Sequence, residues 1–256
     1  MPRTCLFCPA VANSKEHVIP QWLSAHAGMR SDELLPAHFS ETVGIELHNQ
    51  EDPRWLSPGR FTAKVVCAEC NNGWMSQLEG WAQQNLGDLL LPTWTSNYSD
   101  GLKRFQGSPE ELIRWLLKTA IVFELSIPAG QTYKIHESFR RVAKGDVSAT
   151  DLYVFGACTE DKDFNFHLRR GYMVWNGGKL SFQSHERSFD FCIQINHILF
   201  RLVSCPDARP FVREIWKAPY HIVPTLMTKP NTRNFPTDNW FGSFGEFETF
   251  LEVVPN

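Results

Sequence analysis

Cys67-Ala68-Glu69-Cys70-Asn71-Asn72-Gly73-Trp74 decides how this chain is read, because its Cys-x-x-Cys repeats that of Cys5-Leu6-Phe7-Cys8 near the start. Each pair closes a tight knuckle that aims two sulfurs at one point. Four thiolates from two such knuckles form a tetrahedral set that suits Zn²⁺ and leaves no open position. A redox Cys-x-x-Cys is normally single and opens a helix in a βαβ setting, which is absent around Cys5. Cys5, Cys8, Cys67 and Cys70 are therefore the expected ligands of a structural zinc that pins the start of the chain to a much later segment. Cys158, Cys192 and Cys205 stand alone in apolar, strand-like text and read as small buried hydrophobes. Seven cysteines cannot all pair, and no apolar leader opens the chain, so a reducing, cytoplasmic setting without disulfides is expected.

Between the two knuckles, Glu16-His17-Val18-Ile19-Pro20 is strand-like and halted by its proline. Gln21 to Ala27 reads as a short helix closing at Gly28, and residues 29–58 read as a mixed insertion. Arg60 to Val66 alternates like a strand leading into the second knuckle. From Asn71 to about Leu91 the text is helical, with Trp74, Leu78, Trp81, Asn85 and Leu89 on one stripe. A zinc clasp would thus set the strand bearing Glu16 and His17 beside the helix N-terminus bearing Asn71 and Asn72. A carboxylate and an amide oxygen are hard ligands that suit Mg²⁺. An imidazole that titrates near neutrality can take a proton from water, and a helix N-terminus favours anions. Together these are tools for cutting a phosphodiester. Asn71 is also a preferred helix-capping residue, and Asn72 competes with it for the ligand role. Glu79 reads more readily as a solvent ion-pair partner than as a support for the site, and His26, His38 and His48 read as surface residues.

This order of motifs resembles the HNH (ββα-metal) endonuclease superfamily, in its four-cysteine zinc branch. The resemblance covers roughly residues 5–80 and rests on Cys-x-x-Cys, Glu-His-Val-Ile-Pro and Cys-x-x-Cys-Asn taken together. It implies a ββα unit with zinc on Cys5, Cys8, Cys67 and Cys70. It implies that His17 is the general base, and that Glu16 and Asn71 hold a catalytic Mg²⁺ or Mn²⁺, with Asn72 as the alternative ligand. It implies hydrolysis of phosphodiester bonds in DNA, in a restriction, defence or mobile-element setting. The chain departs from the pattern in having Glu16 where many members have Asp, a long stretch between Pro20 and Cys67, and Gly73-Trp74 where Lys is common. Asn49 is the candidate for the middle Asn that orients the base. The rival reading is a non-catalytic zinc module that binds nucleic acid or a protein partner.

Outward from this unit the text changes. Residues 1–91 form the expected nuclease unit, with an insertion at about 21–59; residues 92–107 read as a linker, and 108–256 as an α+β region. Ser108-Pro109-Glu110-Glu111 starts a helix that runs to about Leu125, apolar nearly all round and so buried. A second helix covers about Glu137–Lys144 and stops at Gly145. Leu152–Ala157, Phe164–Trp175, Lys179–His185 and Phe189–Val203 are strand candidates, with Asn176-Gly177-Gly178 as a hairpin turn. Phe244–Leu251 reads as a short helix. The fold class is therefore α+β: a small zinc-pinned unit, then helices and an antiparallel sheet.

Composition narrows the function classes. With 256 residues, 43% hydrophobic and 21% charged, the chain is neither disordered nor collagen-like nor a coiled coil. No apolar run is long enough for a membrane helix, so no membrane partner is expected. A net charge of −3 means that DNA would be met through a local basic patch rather than the overall field. Candidate cations are Arg54, Arg60 with Lys64, Lys103-Arg104, Arg140-Arg141 and Arg169-Arg170. The region from residue 108 on is expected to select the substrate, bind a protein partner or form a homodimer.

Overall fold

A computed structural model describes residues 3–26, 35–43, 46–49, 54–56, 62–90, 109–125, 135–147, 152–170, 172–176, 179–183, 187–206, 208–212, 221–223, 240–241 and 251–255. The chain mixes helices with sheets whose pairings are mostly antiparallel, as the α+β reading expects. The first strand, β1 (Ser14–His17), is followed by helix α1 (Gln21–His26). It pairs antiparallel with β5 (Thr62–Val66), His17 lying opposite Thr62, and the register shifts between Ser14 and Glu16. Residue Cys67 then caps the one-turn helix α2 (Ala68–Cys70). A wider helical turn (Asn71–Met75) leads into α3 (Ser76–Leu86), and a 3-10 turn closes the segment at Asp88–Leu90. The single helix expected over 71–91 is thus kinked near its start and closes in a 3-10 turn. The break falls at Gly73, whose φ −91°, ψ −114° is not helical.

Between α1 and β5 lie β2 (Leu35–Val43), β3 (Glu46–Asn49) and β4 (Arg54–Leu56). The described parts of the stretch read as a mixed insertion are therefore strands, and they do not pair with β1 or β5. Strand β2 pairs in parallel with β6 (Leu152–Arg170), far along the chain. The reason is that β6 is long enough to serve several partners. It takes β9 (Phe189–Ser204) over most of its length, with a register shift between Cys158 and Asp163. It also takes β11 (His221–Val223) near its start and β12 (Trp240–Phe241) at Cys158–Thr159. Two strand candidates, Leu152–Ala157 and the start of Phe164–Trp175, are thus one continuous strand, and β7 (Tyr172–Asn176) is separate. Strand β7 pairs with β8 (Lys179–Gln183), Asn176 facing Lys179 as the hairpin reading requires. The chain closes with β10 (Ala208–Val212) against β13 (Leu251–Pro255). Leu251 therefore opens a strand, not the end of a helix, while 244–250, like the linker 92–107 and the cap at Ser108, lie outside the described residues.

Helix α4 (Pro109–Leu125) carries buried residues on every side, from Leu112 to Phe123. It packs α3 and β5 on one part of its surface and β6 and β9 on another. Helix α5 (Ser138–Lys144) ends as expected at Gly145, whose φ of 81° is open to glycine at little cost. One apolar cluster runs from Cys5, Phe7 and Val18 through Leu86, Leu116 and Phe123 to Phe191 and Phe200. The two sequence segments share that core. Among the described residues, no helix is long and apolar enough to cross a membrane.

Candidate metal centre and adjoining strand-helix site

The two knuckles meet. The Sγ atoms of Cys5, Cys8, Cys67 and Cys70 all lie within 4.8 Å of one another. Cys8 is 3.5 Å from Cys67 and 3.7 Å from Cys70, sulfur to sulfur. A tetrahedral ion with Zn–S bonds of about 2.3 Å would set neighbouring sulfurs about 3.8 Å apart. The thiols are therefore already at ligand spacing, and the four could hold one metal ion such as zinc. Each knuckle is built the same way, by a backbone N–H donated to its first sulfur: Phe7 N to Cys5 Sγ and Cys70 N to Cys67 Sγ. The Cys70 N–H holds the Cys67 thiol down to about 7, while burial pushes the Cys70 thiol well up. Against that burial, the buried indole N–H of Trp74, which bonds no oxygen, favours the ionised form of Cys70. Thiolates are what a soft-ligand ion requires, so the donor set fits. Phe7 and Trp74 pack edge to face at 5.0 Å across the clasp, and Leu6 N bonds Val65 O at 3.0 Å. Cys192 and Cys205 are buried in the other part of the chain, as expected; the Cys158 side chain lies outside the described residues.

The clasp is joined to β1 by polar contacts that the motif alone does not announce. Asn13 Oδ1 accepts from Ala68 N at 2.9 Å and so caps α2. Asn71 Nδ2 donates to Ser14 Oγ at 2.8 Å and to Lys15 O at 3.2 Å. A carbonyl only accepts, so the Lys15 contact fixes which way the carboxamide lies. Its nitrogen faces the strand, and Oδ1 makes no hydrogen bond among the described residues. Asn72 is exposed.

At the other end of β1, His17 is half-buried and its Nε2 lies 3.2 Å from Gln21 Nε2. That contact decides which ring nitrogen keeps its lone pair. An amide N–H donated to Nε2 leaves the neutral ring's proton on Nδ1. The amide turned to present its oxygen leaves Nδ1 as the basic nitrogen.

Glu16 faces the opposite way. Successive strand side chains alternate, so while His17 looks outward, Glu16 turns into the core and is 8% exposed. Its Oε1 accepts from Lys118 Nζ of α4 at 2.8 Å. Lys118 also donates to Glu79 Oε1 at 2.5 Å, and Glu79 Oε2 accepts from Trp22 Nε1 at 2.7 Å and Trp115 Nε1 at 3.2 Å. Glu79 is therefore not a solvent ion-pair partner, as its sequence position had implied. The fold brings α4 over its helix and closes it in. Burial alone would lower the Lys118 pKa, but Glu79 and then Glu16 outweigh it and hold the ammonium above its ordinary range. Lys118 escaped the sequence reading, although one signal was present: a lysine inside the apolar text Leu116-Leu117-Lys118-Thr119-Ala120-Ile121 needs a buried partner. Gln21, Asn13 and Ser14 gave no such signal.

Of the other residues singled out, Asn49, His38 and His48 lie on strands whose side chains are outside the described residues, as do Arg54, Arg169 and Arg170. Arg60, Lys103 and Arg104 are outside them altogether. His26 Nδ1 donates to Trp22 O at 2.8 Å and closes α1. No protein-family model, curated protein or solved structure matches the chain.

Proposed function

We propose that the chain is a metal-dependent endonuclease of HNH type that hydrolyses phosphodiester bonds in DNA. The observation that carries this is the link between clasp, strand and helix. Asn71, one residue past the last clasp cysteine, bonds the strand that ends in His17, and its carboxamide oxygen makes no hydrogen bond among the described residues. Cys5, Cys8, Cys67 and Cys70 would hold a structural zinc with no open position. Asn71 Oδ1 would hold a Mg²⁺ or Mn²⁺, with Asn72 as the alternative ligand; such an ion would supply positive charge for the phosphate oxygens and the leaving group. Glu16, expected from the sequence as the second ligand, spends Oε1 on Lys118 and turns to the face of β1 opposite His17, so it leaves that ligand set. His17 accepts the proton of the attacking water at Nδ1, the nitrogen left basic when the Gln21 amide presents its oxygen to the Nε2 proton. The half-buried ring lies on the face of β1 opposite the core-facing Glu16, the side from which a phosphodiester would have to approach.

The burial of Glu16 against Lys118 favours a second reading, a zinc module that binds nucleic acid or a protein without cutting. Plasmid nicking separates the two. Wild type should nick in Mg²⁺ or Mn²⁺, and His17→Ala should be slower by about 10²–10⁴-fold while keeping its zinc. Wild type that stays silent with both ions on DNA and RNA substrates would leave only the binding module.

A further inference from the structure

Lys118 sits at the centre of a buried cluster that brackets His17. Its side chain is 0% exposed, and its ammonium bridges Glu16 and Glu79. Glu16 immediately precedes His17. Trp22, which bonds the same Glu79, immediately follows Gln21, the residue in contact with the His17 ring. The chain on both sides of the imidazole is thus tied to one point on α4.

The need for such a tie follows from β1 itself. The strand has only four residues, and its pairing with β5 is irregular between Ser14 and Glu16. A slip of one residue would exchange the faces of Glu16 and His17, and so short a ladder resists that weakly. Apolar packing would stabilise this part of α4 at least as well, because a buried ion cluster is a poor source of net stability and a good means of specifying one arrangement. We propose that Lys118 is a positioning residue: by drawing the Glu16 carboxylate inward it fixes the register of β1 and turns His17 out to the reacting side. Helix α4 thereby completes the site from outside the motif-bearing segment. The name given to the task of His17 rests on the endonuclease reading; its placement by Lys118 does not.

The test is Lys118→Met in the full chain, read in two ways. Histidine-selective NMR, with the His17 cross-peak assigned by its loss in His17→Ala, reports the ring directly. In Lys118→Met that peak should shift or broaden by exchange, while the peak of His136, bonded to Ser138 Oγ, stays in place. In plasmid nicking, kcat should fall at least tenfold with KM within twofold, and one zinc should remain per chain. Where the single variant does not fold, Lys118→Met/Glu79→Gln, which leaves one carboxylate behind, is read instead. A folded variant with an unmoved His17 peak and kcat within twofold of wild type overturns the proposal. If wild type cuts nothing, the endonuclease reading fails alone, and the His17 peak still decides the role of Lys118.

Discussion

Lowering the free zinc concentration is the perturbation whose effect the structure sizes most directly. The four sulfurs lie within 4.8 Å of one another, and Cys8 already stands at ligand spacing, 3.5 Å from Cys67 and 3.7 Å from Cys70. Little rearrangement is needed to bind, so the ion's affinity goes into stabilising the folded chain. An ion that binds only the folded state adds RT ln(1 + [L]/Kd), about 2.7 kcal/mol at a hundredfold excess over Kd and about 4.1 kcal/mol at a thousandfold. Each tenfold fall in buffered free zinc above Kd should therefore cost about 1.4 kcal/mol. For a chain of this size that lowers Tm by roughly 3–6 °C per decade. The loss should register in whole-chain melting, because one apolar cluster joins the clasp to the rest. The assay is thermal unfolding in a series of zinc buffers, with thiol counting in parallel. Four thiols should become reactive as the ion leaves, and Cys70→Ser should abolish the dependence on zinc. A Tm constant over four decades of free zinc, with the clasp thiols equally reactive throughout, would refute the argument.

Three further outcomes follow from named contacts. Asn71→Ala removes two hydrogen bonds to β1 and should cost about 1–3 kcal/mol in urea unfolding; a cost near zero would mean that the carboxamide does not hold the strand. Lys118 has a folded pKa raised above its ordinary 10.5, so its contribution is whole below that value and is lost as pH rises through the higher folded value. Denaturation midpoints measured upward from about pH 10 should therefore fall more steeply in wild type than in Lys118→Met, and parallel curves would contradict the ion cluster. In the β9 core, Arg201 meets Asp190 in a two-pronged pair, Nε to Oδ1 at 2.9 Å and Nη2 to Oδ2 at 2.5 Å. Asp190→Asn should cost about 3–5 kcal/mol, because it removes the charge that pairs a buried guanidinium; chemical denaturation checks it.

Local text determined the parts whose physics is local. Two Cys-x-x-Cys knuckles dictate a clasp, since the spacing itself turns the sulfurs and the knuckle N–H groups toward one point. The apolar circumference of α4 dictates its burial, and Gly145 dictates the end of α5. The halt at Pro20 and the alternation before Cys67 likewise carry β1 and β5. What the text could not carry is which distant strand or helix each face meets. Strand β2 joins β6, and β3 and β4 join β2, because β6 is long enough to take several partners, a fact of the assembled sheet. Glu16 and His17 are neighbours on one motif, yet the pleat sends them to opposite faces, and only the packing of α4 shows what lies on the inner one. Glu79 reads as a surface acid along α3 until Lys118, Trp22 and Trp115 close over it. A buried charge is fixed by its partners, and here those partners come from α1 and α4, which only the tertiary structure brings onto α3.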